Sequence, residues 1–257
     1  MAEASVFDRF RLDGRTVLMT GAGPGIGTHV SKAFAAVGAN VVVSARTADR
    51  VEALAAEIRA AGGRAIGIAA DAASLEDTER LAERAQAEFG PVHVLFCSAA
   101  FGALPIDSDP FAADIAHWQQ AFAVNVLTPY RLAQLLVPGM RAAGYGSIIN
   151  LLTCAAFTPI LPQMAYGTTK SALQMLTRYL AKAGGGVVRA NCICPGSMSP
   201  DGEVKPAFAK HLTSNAIQRT GLAEEVVGAA LLLASPASSY TTGQTIFCEG
   251  GRVGTIS

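Results

Sequence analysis

The stretch Thr16-Val17-Leu18-Met19-Thr20-Gly21-Ala22-Gly23-Pro24-Gly25-Ile26-Gly27 decides the fold of this 257-residue chain. Its first four residues are typical of a short buried strand, and the glycines follow at once. The next residues predict a helix with one apolar side, formed by Val30, Ala33, Phe34 and Val37. A strand, a glycine turn and a helix in this order indicate a site for the pyrophosphate of a dinucleotide. The glycines let the backbone approach the phosphates, and the helix amino terminus offers unpaired N–H groups. The alternative is a merely tight turn.

The rest of the chain alternates between short apolar runs and helical patterns. Further strands are predicted over residues 41–45, 65–69, 92–97, 147–152, 187–193 and 245–248. Helix ends are predicted at Gly62-Gly63, Gly90 and Gly184-Gly185-Gly186. We therefore expect a single α/β domain over residues 1–257, with a Rossmann-type, doubly wound parallel sheet flanked by helices.

The charge balance excludes several classes of partner. The chain has 20 Lys and Arg against 20 Asp and Glu, so no positive field favours nucleic acid or an anionic membrane. Charged residues make up only 16% of the chain, below the usual quarter, which favours buried surfaces between subunits. The uncharged spans 142–169 and 226–248 contain proline, glycine and polar residues, so no transmembrane segment is expected.

The amino terminus and the cysteines indicate a cytoplasmic protein. Residues 1–12 alternate charged and apolar side chains and lack the apolar core of a secretory signal. The five cysteines show no paired metal-ligand spacing and are expected to be reduced core residues. His29, His93 and His117 show no ligand spacing either, so no catalytic metal is expected.

Tyr166 and Lys170 are candidates for acid–base chemistry. They are four residues apart, so on a helix both side chains lie on one face. An adjacent ammonium favours the phenolate and lowers the pKa of a tyrosine from its usual value of about 10. The pair can therefore act as a general acid or base. The alternative is a surface helix with a buried ring and a solvated lysine.

Together these motifs resemble the short-chain dehydrogenase/reductase family, marked by a Thr-Gly-x-x-x-Gly-x-Gly loop and a later Tyr-x-x-x-Lys. The resemblance covers nearly the whole chain and includes further matches at Asp71, Asn125, Pro195-Gly196, Thr242-Gly243-Gln244-Thr245 and Gly250-Gly251. It implies an oxidoreductase that moves a hydride between a nicotinamide and a carbonyl or secondary alcohol, in the manner of oxoacyl reductases and hydroxysteroid dehydrogenases.

The resemblance also implies a catalytic set of four residues. Tyr166 would donate the proton, and Lys170 would hold the nicotinamide ribose and lower the pKa of Tyr166. Thr153, thirteen residues before the tyrosine, stands where the family has a serine that binds the substrate oxygen. Asn125 would organise a water chain to bulk solvent; alternatively, it is a helix-kink residue paired with Pro129.

Two departures from the family keep a noncatalytic alternative open. Cys97-Ser98-Ala99-Ala100 replaces Asn-Asn-Ala-Gly, and Thr153 replaces the serine. The chain could thus be a dinucleotide-binding regulatory protein that has lost turnover. Such a protein would bind cofactor without hydride transfer, and Thr153→Ser would restore activity.

The end of the second predicted strand bears on the choice of cofactor. Ala45 lies where NAD-preferring relatives carry an acidic residue, and Arg46 follows it, which favours NADP(H) over NAD(H). Pro24 is an opposing hint, because many NADP-preferring relatives have a basic residue in that loop. Asp71 is expected beside the adenine; alternatively, it caps a helix, for which Ser74 is also a candidate.

The expected cofactor contacts combine the phosphate loop, the strand ends and the catalytic helix. They are Thr20, Gly21, Gly23, Gly25, Ile26, Gly27, Arg46, Asp71, Ala72, Ser98, Ala99, Tyr166, Lys170, Pro195, Gly196 and Met198.

The substrate is expected to be an apolar ketone or alcohol, such as an oxoacyl or steroid compound. The predicted substrate contacts are Thr153, Phe157, Met164 and Tyr166, beneath a lid at about 198–215. Lys205, Lys210 and His211 on that lid would either touch an anionic tail or form a solvated face. Helices over about 111–137 and 165–182 are expected to pair across two-fold axes and give a homotetramer.

Overall fold

Nine strands run through the part of the chain that the computed structural model describes, which is residues 5–102, 111, 114–199 and 215–252. They are β1 (Thr16–Thr20), β2 (Asn40–Ala45), β3 (Arg64–Ala69), β4 (Val92–Cys97), β5 (Gly146–Leu151), β6 (Val188–Pro195), β7 (Met198–Ser199), β8 (Gly221–Leu222) and β9 (Thr245–Cys248). Seven of them form one parallel sheet in the order β3-β2-β1-β4-β5-β6-β9. The strand order reverses between β1 and β4, and such a switch point is where open α/β sheets bind ligands.

Helices cover both faces of this sheet. In the described residues they are α1 (Ile26–Ala36), α2 (Ala48–Ala60), α3 (Leu75–Phe89), α4 (Ile115–Phe122), α5 (Thr128–Ala142), α6 (Met164–Ala183) and α7 (Val227–Ala234). The side chains of α1, α2 and α7 pack with Val17 and Phe96 in one core. Those of α3 and α5 pack with Leu18 and Leu95 in the other. Burial on both faces explains why the strands read as continuous apolar runs, and it confirms the predicted doubly wound architecture.

The predicted helix ends agree with the structure. Helix α2 ends just before Gly62, which has a φ of +85°, while Gly90 and Gly184 directly follow α3 and α6. The sheet boundaries differ from prediction by one or two residues; for example, β6 continues to Pro195.

The two helical segments predicted for subunit contacts have different outcomes. The second matches α6 closely. The first is divided: α4 begins at Ile115, a π-helical turn covers Ala123–Leu127, and α5 follows.

The predicted lid lies mostly outside the described residues. Met198–Ser199 pairs with Gly221–Leu222 in a small parallel ladder, and Asn215 is buried. Residues 200–214, with Lys205, Lys210 and His211, are not described. Among the helices that are described, none has the length and apolar character needed to cross a membrane.

Candidate active site

The glycine turn packs β1 directly against the end of β4. Gly21 has a φ of +69°, and a Cβ placed on it would lie 2.3 Å from the Ala99 nitrogen and 2.5 Å from the Ser98 carbonyl carbon. Only glycine meets both constraints, the left-handed backbone and the close approach. The backbone N–H of Ser98 donates to the Thr20 carbonyl at 3.1 Å. The segment Cys97-Ser98-Ala99-Ala100, which departs from the family pattern, thus contacts the glycine turn and is hydrogen-bonded to Thr20.

A cleft of about 360 Å³ opens along the carboxyl ends of β1, β2 and β4. Eight of the predicted cofactor contacts line it: Thr20, Gly21, Gly23, Arg46, Asp71, Ala72, Ser98 and Ala99. Gly25, Ile26 and Gly27 lie at the start of α1, where Gly25 is the residue before the first turn. Arg50, which sequence reasoning missed, also lines the cleft. It lies on the first turn of α2, four residues after Arg46, and both arginines line the same cavity.

Ser74, not Asp71, caps the helix that follows β3. The Ser74 hydroxyl accepts a hydrogen bond from the Asp77 N–H at 3.1 Å. The Asp71 carboxylate instead accepts from the Ala73 N–H at 3.0 Å and lines the cleft. The helix cap is therefore Ser74, and the position of Asp71 beside the adenine stays a prediction.

A second cleft, of about 200 Å³, holds the predicted reacting groups. Its lining residues are Thr153, Cys154, Ile160, Gln163, Tyr166, Pro195, Gly196, Ser197, Met198 and Arg252. Thr153 follows β5 and begins a short 3₁₀ turn, where its Oγ1 accepts from the Ala155 N–H at 3.4 Å. Tyr166 lies on the first turn of α6. The single connection from β5 to α6 therefore brings both hydroxyl-bearing residues to one cavity.

Phe157 and Met164, two predicted substrate contacts, line a neighbouring cleft of about 250 Å³ instead. The Phe157 ring packs against Phe247 of β9, with ring centroids 4.9 Å apart. Ile160 and Gln163 line both cavities. The spacing of apolar residues between β5 and α6 could not show which of them line the cleft with Tyr166 and which line the neighbouring cleft.

Lys170 is fully buried, and its Nζ donates to the Leu151 carbonyl at 2.7 Å. The Nζ lies 5.7 Å from the centre of the Tyr166 ring. Burial lowers the pKa of Lys170 from 10.5 to about 8, so the lysine is charged at neutral pH. The expected lowering of the tyrosine pKa is not found. Burial, together with the nearby Cys194, raises the pKa of Tyr166 above its usual value.

Asn125 ties three separate segments together. Its Oδ1 accepts from the Phe101 N–H at 2.9 Å, and its Nδ2 donates to the Phe101 carbonyl and to the Thr169 Oγ1, both at 2.9 Å. The residue is buried within the π-helical turn Ala123–Leu127. Asn125 thus lies at an irregular turn, as the kink alternative expected, but its amide bonds to Phe101 and Thr169; the water chain stays a prediction.

Arg252 is the residue that sequence reasoning missed in the second cleft. It follows Gly250-Gly251, whose positive φ angles turn the chain after β9 back toward Tyr166. The glycine pair was visible as a motif, but no spacing rule connects Arg252 with Tyr166, 86 residues earlier.

A sheet with a nucleotide-sized cleft at its switch point and a buried Tyr–Lys pair beside it defines a dinucleotide-dependent oxidoreductase. Comparisons with known proteins agree. The profile of a family described as enoyl-(acyl carrier protein) reductase matches residues 21–252. The 7alpha-hydroxysteroid dehydrogenase of Escherichia coli (strain K12) is 34% identical over 251 residues, which cover 96% of this chain and 97% of that protein.

Solved structures give the same result. A 7 alpha-hydroxysteroid dehydrogenase complexed with NADH and 7-oxo glycochenodeoxycholic acid superposes with a TM-score of 0.90 at 34% identity, covering 96% of this chain and 98% of that one. A gluconate 5-dehydrogenase from Burkholderia cenocepacia J2315, in complex with NADP and tartrate, gives 0.89 at 29% identity, covering 98% and 100%.

The chain belongs to the short-chain dehydrogenase/reductase family. It is accordingly a nicotinamide-dependent oxidoreductase that acts on carbonyl or alcohol groups, as the motifs predicted.

Proposed function

We propose that the protein is an NADP(H)-preferring ketoreductase in which Tyr166 donates a proton to the substrate carbonyl oxygen. One observation carries this proposal: the hydroxyl-bearing side chains of Tyr166 and Thr153 line the same cleft, at the carboxyl end of β5. A carbonyl oxygen between the two hydroxyls would accept from both, which polarises the carbon for hydride attack.

The residues present fit a dinucleotide. The contact between Gly21 and Ala99 leaves no room for a side chain under the phosphate loop, and α1 begins with free backbone N–H groups at its amino terminus. Thr20, Gly23 and Asp71 would hold the phosphates and the adenosine, and Lys170 would hold the nicotinamide ribose. When bound, the nicotinamide supplies the hydride.

The protonation states suit reduction. Burial raises the pKa of Tyr166, so its phenol stays protonated near neutral pH and can give up a proton to the substrate. The Lys170 ammonium, 5.7 Å from the ring centre, would stabilise the phenolate that this transfer leaves. Asn125 positions the helix that carries both groups, through its hydrogen bond to Thr169.

Tyr166→Phe tests the catalytic role. The variant removes only the hydroxyl, so NADPH affinity should change little while NADPH oxidation with a ketone panel falls about 10²- to 10⁴-fold, the usual contribution of a positioned acid. Unchanged turnover would contradict the proposal. NADPH binding without turnover in the native protein, with activity restored by Thr153→Ser, would favour the noncatalytic alternative.

The preference for NADP(H) rests on two arginines. Arg46 and Arg50 both line the cofactor cleft beyond β2, and Ala45 supplies no carboxylate to repel a 2′-phosphate. We expect Arg46→Ala to weaken NADPH binding about 10- to 100-fold and to leave NADH binding nearly unchanged. Arg84→Ala, at an exposed position of α3, is the matched control. Tighter binding of NADH than of NADPH by the native protein would refute the preference.

The substrate is proposed to combine an apolar frame with a polar end. Ile160 and Met198 supply apolar surface in the cleft, as the expectation of an apolar ketone requires. Ser197 and Arg252 line the same cavity, so a purely hydrocarbon substrate would leave their polar groups unmatched. A panel that pairs each apolar ketone with a polar-substituted analogue tests this, and equal kcat/KM for both would contradict it.

A homotetramer remains our proposal for the assembly. Exposed large apolar side chains on the helices predicted to pair support it: Ile115, Leu127, Tyr130, Met175 and Tyr179. Large apolar side chains exposed to water on these helices favour association. Sedimentation analysis at micromolar concentration should give four times the 26.5 kDa chain mass, and a monomer would refute the proposal. A cytoplasmic location is likewise proposed, on the basis of five free cysteines, and cell fractionation tests it.

A further inference from the structure

Among the described residues that line the catalytic cleft, one has a permanently charged side chain. That residue is Arg252. Arg252 therefore lines the same cavity as Thr153 and Tyr166.

The backbone around Arg252 is anchored. The Arg252 N–H donates to the carboxylate of Glu249, which is itself buried. Gly250 and Gly251, with φ angles of +70° and +80°, complete this turn after β9. The arginine is therefore presented by a hydrogen-bonded turn on the edge strand of the sheet, and its side chain is half-buried.

Arg252 makes none of the six ion pairs found among the described residues. The nearby Cys154 responds to its charge. The pKa of that thiol is lowered chiefly by the side-chain hydrogen bond with Cys194 and further by the positive charge of Arg252, while burial and the negative charge of Glu249 oppose the shift. The charge of Arg252 therefore acts on a lining residue of the cleft, next to Thr153.

We propose that Arg252 binds a carboxylate of the substrate, so that the enzyme acts on oxo or hydroxy carboxylic acids. A guanidinium presents paired N–H donors that match a carboxylate in bidentate geometry. The substrate would thus be held at two points, with its carbonyl at Tyr166 and its carboxylate at Arg252. Ile160 and Met198 would contact the carbon chain between them. This inference rests on the proposed function, because it names the substrate class of the same site.

Arg252→Met tests the carboxylate site through turnover. The probes are aliphatic oxo acids with the oxo group at carbon 3, 4, 5 or 6, each beside its methyl ester, with NADPH as reductant. For the native enzyme we expect at least one acid to exceed its ester in kcat/KM by about 10- to 100-fold, the range for a charge-assisted hydrogen-bonded pair. Arg252→Met should abolish this preference by lowering kcat/KM for the acid, while kcat/KM for the ester stays unchanged. Arg84→Met, exposed on α3, should preserve it.

A binding measurement separates failure of this inference from failure of the proposed function. Calorimetric titration of the NADP⁺-saturated protein with hexanoate and with hexanamide requires no hydride transfer. We expect hexanoate to bind at least 10-fold more tightly, and Arg252→Met to remove the difference. Equal binding of the two, or equal losses for acids and esters in the variant, would overturn the carboxylate site alone. Selective hexanoate binding without turnover of any oxo acid or ester would support the site and count against the proposed function.

Discussion

Lys170→Met should make the cofactor-free protein more stable at neutral pH. Burial lowers the pKa of this lysine from 10.5 to about 8. Each pKa unit corresponds to about 1.4 kcal/mol, so the buried charge lowers the free energy of unfolding by roughly 3 kcal/mol. Methionine fills a similar volume without charge, but it leaves the Leu151 carbonyl without its donor, which costs about 1 kcal/mol. The expected net gain at pH 7 is about 2 kcal/mol.

The dependence on pH gives the sharper test. Between about pH 8 and pH 10.5 the unfolded chain keeps a proton on the lysine that the folded protein has lost, so the stability of the native sequence rises with pH. Below pH 8 both states carry the proton, and the full cost is present. The advantage of the variant should therefore be constant below pH 8 and disappear near pH 9.5 to 10.

Urea unfolding at pH 7.0 and 9.5, at one protein concentration, measures both effects. Lys182→Met is the matched control, because Lys182 lies exposed in the last turn of the same helix and should change stability by less than about 0.5 kcal/mol. A Lys170 variant no more stable than the native protein at pH 7 would refute the reasoning. So would an advantage that is unchanged at pH 9.5.

Three further substitutions test the packing, each by urea unfolding. Gly21→Ala should cost at least about 2 kcal/mol, since the new Cβ would lie 2.3 Å from the Ala99 nitrogen; native stability would contradict this. Asn125→Ala removes three hydrogen bonds and should lower the free energy of unfolding by about 3 kcal/mol. A loss below about 1 kcal/mol would mean that Phe101 and Thr169 form replacement hydrogen bonds. Arg189→Lys should cost about 2 kcal/mol, because one ammonium cannot reproduce the guanidinium fork, in which Nη1 donates to the Ser238 hydroxyl and Nη2 to the Leu233 carbonyl; unchanged stability of the variant would contradict this.

The elements that could be predicted from the sequence are those whose signals are local. The strand 92–97 and the helix ends at Gly62, Gly90 and Gly184 follow from apolar runs and glycine, and the structure confirms them. The placement of Thr20, Gly21 and Arg46 on one cleft also follows, because the carboxyl ends of adjacent parallel strands meet at one edge.

The features that could not be predicted depend on contacts between distant segments. The pattern over 111–137 predicts one helix. The π-helical turn within it is explained by the hydrogen bonds of Asn125 to Phe101 and Thr169, which lie on two other segments. The burial of Tyr166 itself, together with the nearby Cys194, raises the pKa of Tyr166 instead of lowering it, since helical spacing reports the shared face but not the surrounding medium. Arg252 enters the cleft from beyond the last strand, where no periodicity links it to α6.

The amide of Asn125 pairs with both the N–H and the C=O of Phe101, as a peptide group does in a strand ladder. Aspartate lacks the donor, leucine lacks both groups, and glutamine adds a methylene in a buried site. A library that randomises position 125 and is selected only for folded protein should therefore return asparagine. Finding asparagine in every active clone would then be no evidence that the amide takes part in proton transfer.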